Sequence, residues 1–268
     1  MKFNKLVMKL KSFFLAFTMI MVMSALFYSC KKDTTTNPSS SSSNSDKTEA
    51  PDVYKKIYGA SDIYVEDGFV VIKVNGRPDH KSPYYSGTQW SSTLYEDYIT
   101  GGGTNSSWNQ NPNKIGTQNY TYKIPLNPTA ATNHVATNLG SIGVALNGVA
   151  FYNQYAGPSQ PLTTEINSFD QYGGHPDQSN TYHYHVEPTY LTGLYGKSTL
   201  LGFLLDGFPV YGPQESGNTL VSSDLDAYHG HTHATADYPN GIYHYHITSD
   251  SPYINGNGYY GTAGTATK

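Results

Sequence analysis

Cysteine is all but missing from this 268-residue chain: Cys30 is the only one. That excludes an intrachain disulfide, so the folded part must hold itself together by core packing, with metal as the one further staple open to it. Positive charge is scarce as well, with 16 Lys and Arg against 20 Asp and Glu. No basic stripe runs through the sequence, and nucleic-acid binding is not expected. After residue 28 no apolar run approaches the roughly 20 residues that a membrane span requires. Long amphipathic helical patterns are lacking too. So are the Gly-x-Ser-x-Gly, His-Glu-x-x-His and P-loop motifs, and Gly101-Gly102-Gly103 is followed by neither a lysine nor a helix start.

What is present begins with an export signal. Lys2, Lys5, Lys9 and Lys11 surround the entry to an almost wholly apolar stretch, residues 12–28. A positive start followed by a short apolar run reads as a secretion signal. The stretch ends Leu26-Phe27-Tyr28-Ser29-Cys30, which resembles a lipobox, although Phe27 and Tyr28 depart from its small-residue pattern. Residues 1–29 are expected to be a lipoprotein signal peptide. Cys30 is then the lipidated N-terminus of an exported protein anchored to a bacterial membrane, at the outer membrane or cell surface. More than one acyl chain would make that anchoring durable. Removing four lysines leaves 12 basic residues against 20 acidic ones, a net charge of -8. Residues 30–50, rich in Ser, Thr and Asn, offer little to bury and are expected to be a disordered tether.

Residues 51–268 are expected to form a single β domain. Its apolar segments are short, as in Phe69-Val70-Val71-Ile72-Lys73-Val74, Tyr120-Thr121-Tyr122-Lys123-Ile124, Ile142-Gly143-Val144-Ala145-Leu146 and Leu200-Leu201-Gly202-Phe203-Leu204-Leu205. Each is bounded by Gly, Asn, Asp or Pro, the pattern of many short strands separated by turns. The fold class is mainly β, a sandwich or barrel-like arrangement.

The region 143–254 contains an internal two-copy repeat. Gly143–Tyr152 aligns with Gly202–Tyr211 at an offset of 59. Asp170-Gln171-Tyr172-Gly173-Gly174-His175 aligns with Asp226-Ala227-Tyr228-His229-Gly230-His231 at 56, and Tyr182-His183-Tyr184-His185 with Tyr243-His244-Tyr245-His246 at 61. Asn147-Gly148 and Asp206-Gly207 signal a hairpin at the start of each copy, with a type I′ turn expected. A tandem of this kind suggests two half-sites joined by pseudo-two-fold packing.

Eight of the ten histidines lie between His175 and His246. On a strand, residues i and i+2 share a face, so His183 pairs with His185 and His244 with His246, each pair roughly 7 Å apart along the backbone. The intervening tyrosines face the other way. His229-Gly230-His231-Thr232-His233 adds a further cluster, and His175 is the repeat-mate of His231. These eight imidazoles are the candidate ligands of one shared transition-metal ion. Asp170, Asp206, Asp226 and Glu187 are the carboxylates expected to ligate or to orient ligating rings. Zinc and copper suit imidazole, whereas calcium prefers oxygen, and with Cys30 spoken for a blue-copper site is excluded. His80 and His134 fall outside the repeat and are expected on the surface.

These motifs, with Leu205-Asp206-Gly207-Phe208-Pro209-Val210-Tyr211-Gly212-Pro213, resemble the YHYH domain family. The resemblance covers about residues 143–254 and implies a secreted or surface protein, without implying a reaction. Family members often carry cysteine where this chain has Tyr172 and Tyr228. The resemblance therefore implies that an inter-repeat disulfide in those relatives is replaced here by packing of the two rings.

Three functions fit the sequence. One is transition-metal binding. Another is a metal-dependent hydrolase or oxidase, with Asp206, Asp226 or Glu187 as base; multicopper oxidases also repeat His-x-His pairs, but with a cysteine motif missing here. The last is a module for a glycan or protein ligand, presenting Trp90, Trp108, Tyr84-Tyr85 and Tyr259-Tyr260.

Overall fold

The computed structural model describes residues 46–268. The expected signal peptide and Cys30 lie outside the described residues. Four strands come first: Thr48–Glu49 (β1), Ala60–Glu66 (β2), Phe69–Val74 (β3) and Tyr120–Pro125 (β4). The first repeat copy follows with Gly143–Ala145 (β5) and Ala150–Phe151 (β6). A small hairpin of Tyr155–Ala156 (β7) and Gln160–Pro161 (β8) leads to Gly174–Pro176 (β9) and Tyr182–Tyr184 (β10). The second copy runs in the same order: Leu200–Leu204 (β11), Pro209–Tyr211 (β12), the hairpin Gln214–Glu215 (β13) and Asn218–Thr219 (β14), then Gly230–His233 (β15) and Ile242–His246 (β16). Thr265–Thr267 (β17) closes the chain. Among the described residues no helix is long and apolar enough to cross a membrane.

The protein is mainly β. One sheet has the order β1-β2-β3-β4-β17 and the other β15-β16-β12-β11-β5-β6-β10-β9, and neither closes on itself, so the arrangement is sandwich-like and no barrel forms. Alternate residues of the first sheet, Val70, Ile72 and Val74 on β3 with Tyr120, Tyr122 and Ile124 on β4, are buried in the same core as Val144, Phe151, Phe203 and Val210 of the second. Period-2 alternation puts them on one face, as expected of a half-covered sheet. Residues 51–141 supply most of a sheet separate from that of the repeat. The expected tether also ends before residue 50. Thr48 and Glu49 pair with Val65 and Tyr64 of β2, and Ala50 is buried.

The eight-stranded order is a palindrome of the two copies. Its centre is the antiparallel pair β5–β11, where Val144 lies opposite Phe203, its own repeat-mate. The flanking pairs Gly143–Leu204 and Ala145–Gly202 are exchanged by the same two-fold rotation. This is an isologous contact inside one chain. The expected pseudo-two-fold is therefore present, but its axis joins the first strands of the copies and sends β9/β10 and β15/β16 to opposite ends. Five strand spacings separate β10 from β16, about 24 Å at 4.7–4.9 Å per spacing.

Each copy opens with the expected hairpin, although the turn differs. Only the glycines, Gly148 (φ 79) and Gly207 (φ 86), have positive φ. Gly148 N–H donates to Ala145 O and Ala145 N–H to Val149 O, with Gly207 and Leu204 repeating the pattern. A type I′ turn needs positive φ at both central residues; a single left-handed glycine after a tight turn gives the bulged hairpin instead.

Candidate metal centres

The Tyr-His-Tyr-His strands separate their two residue types as period 2 requires, and the two faces do different work. The tyrosines enter the core. Tyr182 donates to Asp170 (2.8 Å) and Tyr243 to Asp226 (2.9 Å). Tyr184 OH accepts from Asn147 Nδ2 (3.1 Å), while Tyr245 donates to Asp206 (2.6 Å), and Asn147 and Asp206 are repeat-mates. Asp170 and Asp226 also accept the backbone N–H of Tyr172 and Tyr228 at 2.9 Å, fixing the turn that leads into β9 and β15. Gly174 and Gly230 let these tyrosines pass: a Cβ there would stand 2.5 Å from the ring of Tyr182 or the hydroxyl of Tyr243.

On the opposite face the histidines gather into two groups. Glu165, His175, His183 and His185 form the first, Glu215, His231, His233, His244 and His246 the second, and in each the potential ligand atoms all lie within 4.8 Å of one another. Cross-strand pairing builds both: His175 is opposite His183 on β9–β10, and His231 opposite His244 on β15–β16. In the first group His183 Nε2 lies 3.1 Å from His175 Nε2 and 3.0 Å from His185 Nε2, with Glu165 Oε1 3.1 Å from His175. In the second, His231 Nε2 and His233 Nε2 are 3.0 Å apart. Glu215 Oε1 touches His233 and stands 3.5, 3.9 and 3.7 Å from the Nε2 atoms of His231, His244 and His246.

The opposite ring nitrogens decide what these contacts are. His183 Nδ1 meets Thr181 O (2.9 Å) and His244 Nδ1 meets Ile242 O (2.9 Å). His185 Nδ1 meets Asn153 O and His246 Nδ1 meets Gly212 O, the equivalent carbonyl of the other copy. A carbonyl only accepts, so each Nδ1 carries the proton. Ser168 hydroxyl donates to Glu165 O and is left to accept from His175 Nδ1. Burial pushes the His185, His244 and His246 imidazoles down to about 4 and His183 well below its ordinary range, so these rings are neutral near pH 7. The Nε2 lone pairs of His183 and His185 therefore point at each other across 3.0 Å, and those of His244 and His246 have no hydrogen-bond partner. Converging lone pairs repel unless a cation sits between them. Ligands about 2.0–2.1 Å from a tetrahedral zinc are about 3.3 Å apart, close to the spacing here. A carbonyl on the second nitrogen is the usual support of a metal-bound imidazole. The His175 ring beside it holds the Glu165 carboxyl below its usual range, leaving it anionic.

The sequence model of the family described as YHYH protein matches residues 121–220 and 214–258. The chain belongs to that family. The match spans both Tyr-His-Tyr-His copies and β4 before them. No curated protein and no solved structure matches the chain.

Seven of the eight expected histidines thus join a YHYH histidine cluster, but in two separate groups rather than around one shared point. His229 joins neither. Its Nδ1 meets His246 O, its Nε2 meets Ser222 and Thr248, and its backbone is left-handed (φ 77), as at its mate Gly173 (φ 85). None of the four expected carboxylates is at a centre. Asp170, Asp206 and Asp226 hold tyrosine hydroxyls, and Glu187 accepts from Thr192 and pairs with Lys197. The carboxylates that do reach the centres, Glu165 and Glu215, carry no repeat signal. Glu165 lies on a short helix, Glu165–Ser168, whose counterpart Ser222–Asp224 has no glutamate, and Glu215 lies on β13, whose counterpart β7 has no carboxylate.

Tyr172 and Tyr228 do not pack on each other. Tyr172 lies against His80 and Tyr190, and Tyr228 stacks on His134 at 4.2 Å. Each ring serves its own half because the copies face away from each other at those turns. His80, expected on the surface, is buried and bonds Tyr184 OH, whereas His134 is exposed. Of the rings expected to meet a glycan or protein, Tyr84, Tyr85 and Tyr259 are core residues, and Trp108 stacks on Tyr98.

Proposed function

We propose that the protein binds two transition-metal ions, one per repeat copy, each held by imidazole Nε2 atoms and one glutamate. The observation that carries this reading is the pair of neutral, buried rings His183 and His185, whose lone pairs converge at 3.0 Å while carbonyls take their protonated nitrogens. The second copy repeats the arrangement, with the same carbonyl positions behind His244 and His246. Zinc and copper(II) both suit imidazole with one carboxylate and no thiolate. On this reading the protein works outside the cell, tethered through lipid on Cys30, and acquires, stores or senses the metal there. Metabolic labelling with an alkynyl fatty acid checks the tether: label should be lost in Cys30→Ser.

Elemental analysis of the purified mature chain, dialysed after loading with zinc or copper, tests the metal reading. Two ions per chain are expected, one in His183→Ala/His185→Ala and one in His244→Ala/His246→Ala. A folded wild-type chain that retains neither ion overturns it.

A further inference from the structure

The two centres share their ligands' layout but not their surroundings. Over the first, Tyr152 lies flat on His183, with centroids 3.8 Å apart and planes within 15°, and Phe169 stacks parallel to His185 at 5.6 Å. His175, His183 and His185 are each 2% exposed. A depression of about 600 Å³ adjoins this centre, but only Glu165 and His175 of the group line it. In the second copy the mate of Tyr152, Tyr211, stands edge-on to His244 at 5.2 Å and 71°, and the position of Phe169 is taken by Leu225. The centre opens on a cleft of about 510 Å³ whose wall includes His233, His244, His246, Glu215 and Lys56. Its His233 side chain is 39% exposed.

We infer that the second-copy centre is a ligand-exchange site, where an ion bound by His231, His244 and His246 takes a small anionic donor from the cleft in place of Glu215. This inference rests on the two-centre metal reading. Two buried nitrogens without partners, on His244 and His246, aim into the group. Glu215 Oε1 stands 3.5–3.9 Å from those two and from His231, and it lines the cleft. That carboxylate is carried by a hairpin of two-residue strands turning through Ser216 (φ 49) and Gly217 (φ 82). It is therefore the ligand that can move aside most easily. Lys56 also lines the cleft, where it is ion-paired with Asp237. A metal site with an exchangeable position is the arrangement found where a metal binds substrate or activated water, whereas fully enclosed four-ligand sites are structural. The first-copy centre, roofed by Tyr152 and Phe169, is the enclosed one.

The test is azide titration of the mature chain loaded with cobalt(II), followed by visible absorption. A saturable band shift is expected in wild type and in His183→Ala/His185→Ala, and none in His244→Ala/His246→Ala. Glu215→Gln should tighten azide severalfold, and Glu165→Gln should leave its affinity unchanged; these single changes serve if a double-alanine chain fails to fold. In a chelator challenge, one ion should leave quickly and the other slowly, and Phe169→Leu, which imports the second-copy residue, should speed the slow release severalfold. Azide-insensitive bands from two bound ions, or a shift that follows His183 and His185, overturn the inference while leaving two-centre binding intact. A chain that binds no cobalt fails at the earlier reading.

Discussion

Replacing Tyr245 with phenylalanine removes one oxygen from the core face of the second Tyr-His-Tyr-His strand and leaves the histidine face untouched. That oxygen makes two hydrogen bonds at a position with no solvent exposure: it donates to Asp206 Oδ2 at 2.6 Å and accepts from the Tyr260 N–H at 2.7 Å. At pH 7 the first is a bond to a buried carboxylate, since burial raises Asp206 only to about 6. Such a bond contributes about 1.5–3 kcal/mol, and a backbone N–H left without a partner costs about 1–3 kcal/mol. The loss should therefore be about 3–5 kcal/mol, enough to shift a urea midpoint by more than 1 M at an m-value of about 2–3 kcal/mol/M. The matching change in the first copy, Tyr184→Phe, loses bonds to the neutral Asn147 and His80 rather than to a carboxylate and should cost less, about 1–3 kcal/mol. The Tyr245→Phe cost should also shrink at pH 5, where Asp206 is already protonated in the folded state. Urea unfolding of metal-free chains, followed by far-UV circular dichroism, measures all three. Elemental analysis of the folded variant should still find two ions, because the lost hydroxyl lies across the strand from His244 and His246. A cost under 1 kcal/mol, or one no larger than that of Tyr184→Phe, refutes the division of the motif into core and ligand faces. So does loss of one ion from a chain that remains folded.

Asp206 gives a separate pH signature. Its folded-state pKa, pushed up from 3.8 to about 6 by burial, means that the folded chain holds a proton the unfolded chain has released. Its contribution to stability is then present at low pH and is lost as pH rises through about 4–6, by up to about 3 kcal/mol; unfolding measured across that window should show the slope in the metal-free wild type and not in Asp206→Asn. Gly230→Ala places a Cβ 2.3 Å from His244 O and 2.5 Å from Tyr243 OH. It should cost about 1–3 kcal/mol by overpacking, and it should lower metal occupancy at the second centre alone. Phe203→Ala, at the two-fold axis between β5 and β11, should cost about 3–5 kcal/mol as a buried aromatic truncation, with both centres still loading once the chain is folded. Thermal unfolding in the presence of excess zinc should rise in midpoint by an amount that depends on zinc concentration, as for any ligand bound only by the native state.

The repeat was legible because its Tyr-His-Tyr-His strands state their own facing: at period 2 four residues fix which rings go inward. The strand segments around Val70, Tyr122, Val144 and Phe203 were legible for the same reason. What the sequence could not convey was which strand of each copy meets the other. Pairing through β5 and β11 or through β10 and β16 leaves the local pattern unchanged, yet only the second would bring all the histidines together. The carboxylates were hidden because Glu165 and Glu215 arrive from different elements in the two copies, one on a short helix and one on a hairpin. Asp170, Asp206 and Asp226 looked like partners of histidine because they are near in sequence, but a tyrosine hydroxyl on the opposite face had the stronger claim on each. His80 gave no signal at all; its burial beside Tyr184 depends on the long connection between β3 and β4.

The axis at Val144 and Phe203 makes the repeat region a homodimer written as one polypeptide. Two identical halves on separate chains would be bound to change together, since one gene would encode both. Joined in tandem, each half is free to diverge behind an unchanged seam. Phe169 against Leu225, and the flat Tyr152 against the upright Tyr211, are what such freedom leaves behind: one pole sealed, the other left ajar.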